Sequence, residues 1–350
     1  MADVSVVIPT YNRADLLPRA IESALSQTAP PAEVVIVDDG STDDTPATLA
    51  RYVERHAGRV RVLRIPNGGV ARARNAGIAA ARSAWVALLD SDDEWVPSKL
   101  AVQMAALAER PDAGWSCSGC ELIDGAGVRR SGAQSFEGAF PVFRERRISA
   151  SAYLGAVLQP MRVTVDGDTH EGYAGDLFEL LFGGNIVLPS SAVVRRALFG
   201  RVGVFDPEYR LAEETEFFHR VAEASPAVII LSPLVRYRVA QAGSLTASEN
   251  TARLVSNALR SIDGAAARRQ PVTASTRRAW RAGRQRLLLR LAYAELSSYH
   301  ARAARGAAWQ AARDGGERTA LPRAAALWLG SFLPMVALRS LHAVKRHMRT

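Results

Sequence analysis

Short apolar runs alternate with helix-like stretches over the first third of the chain. The apolar runs are rich in Val, Ile and Leu and several are bounded by Asp, Gly or Ser. Runs of this kind predict buried strands that end in loops. The predicted strands are residues 4–9, 34–37, 60–65 and 85–89, and the predicted helices are residues 14–26, 45–56 and 70–82. Their alternation predicts an α/β domain with right-handed crossovers and a mostly parallel sheet flanked by helices.

The rest of the chain falls into three sections. Residues 113–182 are less regular and rich in Gly, Ser and Arg, and residues 185–238 again combine apolar runs with an acidic segment. From about residue 249 the chain is rich in Ala, Arg and Leu and is predicted to be helical. We expect residues 1–112 and 113–248 to form two halves of one domain, followed by a basic helical C-terminal region over residues 249–350.

An uncharged run covers residues 324–338. Its 15 residues are fewer than the ~20 that a membrane-spanning helix needs, and Pro334 interrupts it. Together with Trp328, Phe332 and the basic end of the chain, this pattern favours a helix that lies at a membrane surface. A C-terminal helix packed on the protein body is the alternative.

Charge is distributed unevenly along the chain. The net charge is +9, but residues 251–350 contain 19 Lys and Arg against 4 Asp and Glu, whereas residues 1–250 contain 25 against 31. This asymmetry predicts an anionic partner for the basic end. Because the acidic body offers no complementary surface for a polyanion, we expect an anionic membrane surface and no nucleic acid as the partner.

Composition and cysteine content are typical of a reduced, globular protein. The chain has 350 residues, of which 48% are hydrophobic and 23% charged. Cys117 and Cys120 form a single C-x-x-C, which is poor evidence for a zinc site and fits two reduced thiols. The first predicted strand begins almost at Met1, so no signal peptide is predicted. We expect a cytoplasmic protein that is peripheral at the inner face of the membrane.

Acidic clusters follow two of the predicted strands. Asp38 and Asp39 follow the strand at 34–37, and Asp90, Asp92 and Asp93 follow the strand at 85–89. In open α/β sheets, ligands bind at the carboxyl ends of the strands. Carboxylates gathered there favour a hard cation such as Mg²⁺, which in turn binds phosphates. The sequence has no P-loop, no G-x-G-x-x-G after the first strand, no G-x-S-x-G and no H-E-x-x-H, which argues against the enzyme classes that those motifs mark.

Four ordered motifs resemble those of family 2 glycosyltransferases with the GT-A fold, in which a Rossmann-like sheet binds a nucleotide-sugar. The motifs and the single residues that continue the pattern are 6–13, 37–43, 67–77 and 89–93, with Trp95, Pro97, Lys99 and Leu100. The resemblance is dense to residue 100 and resumes from about 185 to 238. It implies an inverting, metal-dependent transferase of cell-surface polysaccharide or glycoconjugate synthesis.

The resemblance also implies roles for individual residues of the donor site. Asp39 accepts hydrogen bonds from the base, Asp90 lies near the ribose and the metal, and Asp92 binds Mg²⁺ or Mn²⁺. The base pocket is lined by Pro9, Thr10 and Tyr11. Arg74 reaches the base or the diphosphate, and the resemblance leaves open whether Arg72 does so too. For Asp38 and Asp39 the alternative is that they cap the following turn. A UDP-sugar is the most common donor in the family.

A second acidic cluster, Glu213 and Glu214, follows the segment 203–206 in the sequence. In the family the second acid of such a pair is the general base, which makes Glu214 the predicted base and Glu213 the alternative. The simpler interpretation is an acidic first turn of a helix that ends near Ala224. The acceptor implied is a hydroxyl of a saccharide or of a lipid-linked molecule, and we expect residues 113–182 with 185–191 to shape its pocket.

One position departs from the family pattern. The family often has a histidine two residues after the motif Tyr237-Arg238, where this chain has Ala240. Either Gln241 or Ser244 replaces that histidine, or the site is completed differently. A catalytically impaired protein that binds nucleotide-sugar is therefore the alternative function.

Overall fold

The computed structural model describes residues 2–130, 136–239, 250–269, 272–314 and 320–332. The chain divides into two compact units. The first comprises Met1–Leu181 and Asn185–Ser244, and the second comprises Phe182–Gly184 and Leu245–Thr350.

A mixed ten-stranded sheet organises the first unit. The strands are β1 (Ala2–Thr10), β2 (Pro31–Asp38), β3 (Val60–Arg64), β4 (Trp85–Leu88), β5 (Glu94–Trp95), β6 (Trp115–Ile123), β7 (Gln159–Val165), β8 (Asp168–Gly175), β9 (Val193–Arg195) and β10 (Ala227–Arg238). Their order is β3-β2-β1-β4-β9-β6-β10-β8-β7, and β5 pairs with β10.

The half of the sheet from β3 to β4 is parallel, as the sequence predicts. Its connecting helices are α1 (Leu17–Leu25), α2 (Thr45–Arg55) and α3 (Val70–Ala80), close to their predicted bounds. The side chains from Val34 to Val37 are fully buried because helices cover both faces of a doubly wound sheet. Helix α3 packs tightly against the sheet at Gly77, where a Cβ would lie 2.4 Å from Cγ1 of Val7.

The other half of the sheet contains most of its antiparallel pairs. Strand β9 is antiparallel to both β4 and β6, whereas β10 runs parallel to β6 and antiparallel to β8. Strands β7 and β8 form a hairpin within residues 113–182, for which the sequence pattern predicts no regular element. Asp166 and Gly167 form its two-residue turn with φ of 53° and 88°. An Asp-Gly pair with positive φ at both positions is a strong hairpin signal, so the expectation of an irregular section was wrong here.

Most of the remaining helices of the first unit are shorter than α1, α2 and α3. They are α4 (Lys99–Glu109), α5 (Phe136–Ala139), α6 (Pro141–Arg146), α7 (Ala150–Leu154), α8 (Phe178–Leu181), α9 (Arg196–Val202) and α10 (Glu213–Ala224). Cys117 and Cys120 are buried free thiols on β6. Burial raises the pKa of Cys117 to about 12, so this thiol is unreactive at neutral pH.

The second unit contains four helices within its described residues. They are α11 (Thr251–Arg268), α12 (Ala274–Ser297), α13 (Ala301–Arg313) and α14 (Leu321–Gly330). Their shared core is built from small and branched side chains: Val255, Leu259, Leu288, Ala292, Ala307, Ala308, Ala311 and Ala324. Among the described residues, no helix has both the length and the apolar character needed to cross a bilayer. Part of the uncharged run at 324–338, including Pro334, lies outside the described residues.

Candidate active site

The predicted base pocket lies at the carboxyl end of β1. Pro9 and Thr10 are buried, and Thr10 pairs with Asp38 in the parallel register with β2. The Thr10 hydroxyl has no hydrogen-bond partner in the structure, although it is buried. Tyr11 follows at the surface with 45% of its area exposed. A buried hydroxyl without a partner beside an exposed aromatic ring can receive a polar planar ligand.

The two aspartates after β2 have different partners. Asp38 accepts a hydrogen bond from the backbone N–H of Ser41 at 2.8 Å, so its carboxylate caps the turn. Asp39 accepts hydrogen bonds from the backbone N–H groups of Gly68 and Gly69, both at 2.8 Å. Asp39 therefore fixes the loop that precedes α3. Each of its oxygens retains a second lone pair for a ligand donor.

Gly40 follows these aspartates with φ of 77°, and a Cβ there would lie 2.9 Å from the backbone nitrogen of Asn67. The turn after β2 and the loop before α3 approach each other so closely that only glycine fits.

A carboxylate cluster follows β4. Asp90 is bound by Arg74 at 2.7 Å. Asp93 is buried and accepts hydrogen bonds from the Ser190 hydroxyl at 2.5 Å and from the backbone N–H of Arg238 at 3.0 Å. Within the described residues, the Asp92 carboxylate forms no ion pair and no hydrogen bond to another side chain.

The electrostatics of the cluster favour a cation. Burial and then the charge of Asp90 raise the pKa of Asp92. Burial and then the charges of Asp92 and Asp90 raise the pKa of Asp93 well above its usual range. The neighbouring carboxylates therefore disfavour the ionised forms of Asp92 and Asp93, and a bound cation would relieve that repulsion.

These residues fit a metal ion whose coordination shell is completed by a bound ligand. The described residues hold no group of three or more His, Cys, Asp or Glu side chains arranged as a self-sufficient metal site. Mg²⁺ typically takes only one or two protein carboxylates and completes its shell with water and substrate phosphates. Asp92 is available for that role, and its carboxylate oxygens are ligands that suit Mg²⁺ or Mn²⁺.

Arg74 lies between the two acidic clusters. Its side chain is 4% exposed, and it donates to Asp90 at 2.7 Å and to Glu213 at 2.6 Å. Burial alone would lower the pKa of this guanidinium, but the two carboxylates raise it, so Arg74 is charged. The family resemblance implies that Arg74 reaches the base or the diphosphate. In the structure its two terminal nitrogens are paired with carboxylates, and its Nε atom has no partner.

The predicted catalytic pair begins helix α10. Ala212, directly before it, has φ of 61°, a left-handed conformation that is uncommon for a residue with a Cβ. Glu213 and Glu214 then occupy the first turn, and the helix ends at Ala224 as expected for the acidic-turn interpretation. Glu213 is buried in its ion pair with Arg74, whereas Glu214 is partly exposed. The structure thus gives the predicted base, Glu214, and its alternative, Glu213, different surroundings.

Glu214 has the electrostatic character of a general base. Burial, and then the charge of Glu213, raise the pKa of Glu214 to about 7. The side-chain amide of Asn185 donates to Oε1 of Glu214 at 3.3 Å. The orientation of that amide is fixed because its oxygen accepts a hydrogen bond from the backbone N–H of Val187. The sequence pattern places Asn185 only in a general acceptor region and does not reveal this contact, because it joins segments far apart in the chain.

Arg238 is a site residue that the sequence pattern marks only as part of a motif. Its buried guanidinium donates to the carbonyl oxygen of Asp92 at 3.0 Å, to Glu94 at 2.6 Å, and to the carbonyl oxygens of Asp124 and Gly125. It thereby fastens the carboxylate cluster to β10 and to the turn after β6. Its position at the carboxyl end of β10 is the signal that could have identified it. Ala240, Gln241 and Ser244 lie outside the described residues.

Sequence comparison identifies the family of this domain. The profile described as glycosyl transferase family 2 matches residues 5–155. The putative teichuronic acid biosynthesis glycosyltransferase TuaG of Bacillus subtilis is 40% identical over 121 residues, which cover 34% of this chain and 47% of that protein. The succinoglycan biosynthesis protein ExoU of Rhizobium meliloti is 44% identical over 99 residues, which cover 28% of each chain. These matches span about half or less of the relatives' length.

Structural comparison identifies the fold. The crystal structure of S. aureus TarS residues 1–349 aligns with a TM-score of 0.53 and 17% identity, covering 93% of this chain and 88% of that one. The same TarS fragment has been crystallised with UDP and with UDP-GlcNAc. The family match and the shared architecture agree: residues 5–155 belong to a family 2 glycosyltransferase domain, and the fold is GT-A.

Proposed function

We propose that the protein transfers a sugar from a nucleotide-sugar to an acceptor hydroxyl, with inversion at the anomeric carbon. The observation that carries this proposal is the pairing of Arg74 with both Asp90 and Glu213. That pairing joins the carboxylate cluster after β4 to the start of α10, where the half-buried Glu214 has a raised pKa. One site thus combines acidic groups suited to a metal–diphosphate with a candidate base.

The donor side of the proposed site binds the nucleotide. The Thr10 hydroxyl and the remaining lone pairs of Asp39 hydrogen-bond to the base, and Tyr11 covers it at the surface. Asp90 lies toward the ribose, and Asp92 would hold Mg²⁺ or Mn²⁺. A cation there would supply positive charge that stabilises the leaving diphosphate.

The acceptor side supplies the base. Glu214 takes the proton from the acceptor hydroxyl, whose oxygen forms a bond to the anomeric carbon while the bond from that carbon to the diphosphate oxygen breaks. Attack from the face opposite the leaving group inverts the anomeric configuration. Asn185 orients the Glu214 carboxylate for the proton transfer, and Arg74 holds the Glu213 side chain in a buried ion pair.

The relatives support a role in cell-surface polysaccharide or glycoconjugate synthesis. TuaG and ExoU are named for teichuronic acid and succinoglycan biosynthesis. The TarS complexes with UDP and UDP-GlcNAc support a UDP-sugar donor. The proposed acceptor is a saccharide or a lipid-linked molecule.

Calorimetric titration with UDP, dTDP and GDP, with and without Mn²⁺, tests the donor site. We expect binding of one nucleotide that is strengthened by Mn²⁺, and we expect Asp92→Asn to lose that strengthening because the amide cannot replace the carboxylate as a ligand. Asp168→Asn, at an exposed position on the β7–β8 hairpin, serves as the matched control and should bind like wild type. Absence of binding to all three nucleotides would overturn the proposal. Binding without any turnover would instead favour the catalytically impaired alternative.

The pH profile of kcat/KM tests the base. Because Glu214 must be ionised to accept a proton and its pKa is raised to about 7, the rate should fall as pH drops below about 7 and level off above it. Asn185→Ala removes a donor that favours the ionised form. It should therefore move the midpoint upward by about half to one pH unit.

Asn67→Ala is the matched control for the pH experiment. The Asn67 amide donates to the carbonyl oxygen of Asp39, on the nucleotide side. This variant should change nucleotide affinity and leave the midpoint in place. Equal midpoints in wild type and Asn185→Ala would contradict the orienting role of Asn185.

A further inference from the structure

Helix α14 and the end of α13 carry an exposed group of large apolar side chains in the second unit. This group, named here the aromatic–arginine surface, consists of Trp309, Leu321, Trp328, Leu329 and Phe332 together with Arg305 and Arg313. Ala324 is the buried residue of α14, although the helix sequence is apolar except for Arg323. Exposed apolar patches of this kind mark interaction sites.

Arginines are built into this surface. The Arg305 guanidinium lies 4.7 Å from the centre of the Phe332 ring and donates to the carbonyl oxygen of Ser331 at 3.0 Å. The Arg313 guanidinium lies 4.4 Å from the Trp309 ring. Cations stacked on aromatic rings keep their charge at the level of the apolar side chains. A partner that contacts Phe332 or Trp309 therefore also meets a guanidinium group.

The charge of the surrounding sequence is almost entirely positive. Residues 301–314 and 320–332 contain four arginines and one acidic residue, Asp314, and Asp314 is paired with Arg284. An anionic partner would meet no unpaired carboxylate in these described segments. The ten residues of α14 are too few to cross a bilayer.

We propose that the aromatic–arginine surface docks on an anionic lipid bilayer. Trp328, Leu329 and Phe332 enter the boundary between headgroups and acyl chains, and the arginines contact lipid phosphates. Aromatic rings with basic neighbours on a short helix suit this interface, where one end of each side chain is apolar and the other is hydrated. The attraction from each arginine depends on anionic lipid and weakens with salt. This inference does not rest on the proposed transferase activity.

Vesicle sedimentation of the full-length chain tests it. We expect binding to phosphatidylcholine vesicles that contain phosphatidylglycerol, at least about ten-fold stronger than to pure phosphatidylcholine at low salt, and weakened at high salt. The double variant Leu329→Ser, Phe332→Ser should reduce binding to the anionic vesicles by about ten-fold or more, because two apolar side chains are lost from the contact.

A matched double variant makes the test specific. Leu329 and Phe332 are 62% and 58% exposed, and Val128 and Val157 in the first unit are 62% and 53% exposed. Val128→Ser, Val157→Ser should bind vesicles like wild type. Equal binding to neutral and anionic vesicles would overturn the proposal, as would equal binding by the two double variants. If Leu329→Ser, Phe332→Ser altered only the oligomeric state in the absence of vesicles, the surface would be a contact between copies of the chain and the proposal would fail.

Discussion

Glu214→Gln is expected to lower kcat by about 10²–10⁴ while leaving nucleotide affinity close to that of wild type. The amide keeps the shape of the side chain and its contact with Asn185, but it cannot accept the acceptor's proton. The measurement is the release of nucleoside diphosphate during transfer. The donor is the one identified by calorimetry, and a panel of saccharides supplies the acceptors. A retained affinity together with lost turnover assigns Glu214 to the chemical step.

The neighbouring Glu213 provides the matched comparison for this result. Glu213→Gln changes the same functional group one residue away, but in a buried pair with Arg74. We expect its main effect on the free energy of unfolding, with a smaller loss of kcat than in Glu214→Gln. A reversed order of the two kcat values would make Glu213 the base. That result would contradict the distinction based on burial and pKa.

The parallel half of the sheet was predictable because its information is local. The run 34–37 is apolar at every position, as a strand covered on both faces requires, and Asp38 marks its end. The same local rules predict that Asp39, Asp90 and Asp92 lie at the carboxyl ends of β2 and β4, where the structure has them. Strand ends and their loops follow from composition over a few residues.

The contacts that connect the two acidic clusters were not predictable in this way. Arg74 and Glu213 are 139 positions apart, and Asn185 and Glu214 are 29 apart. Hydropathy patterns indicate that Arg74 lies on a helix, but they do not indicate which carboxylates that helix will face. The hairpin β7–β8 is a different case, because its Asp-Gly turn is a local signal. Its strands are largely exposed and so lack the apolar run that identifies a buried strand.

The left-handed Ala212 belongs to the same class of unpredictable features. Its φ of 61° is unfavourable for alanine locally, so the surrounding tertiary structure must maintain it. Nearby, the centre of the Phe205 ring lies 5.2 Å from the Arg74 guanidinium and 4.2 Å from the centre of the Phe217 ring. The backbone conformation at the start of α10 therefore depends on tertiary packing.

Arg74→Met is expected to lower the free energy of unfolding by about 3–5 kcal/mol. Methionine fills a similar volume over Phe205, but it leaves the buried carboxylate of Glu213 without a counter-charge. Asp90 is less affected because it is 23% exposed and can be hydrated. Urea unfolding monitored by far-UV circular dichroism measures the change.

Two further variants decide whether the buried ion pair is the cause. Arg74→Met combined with Glu213→Leu should recover much of the lost stability, since removing both charges of a buried pair costs far less than removing one. Arg110→Met, whose partner Asp112 is 52% exposed at a similar distance of 2.9 Å, should cost less than about 1 kcal/mol. If the double variant were as unstable as Arg74→Met, packing around the arginine rather than its charge would hold α3 to α10. The connection between the donor and acceptor sides would then depend on the shape of the side chain, and Arg74→Lys would fail to restore it.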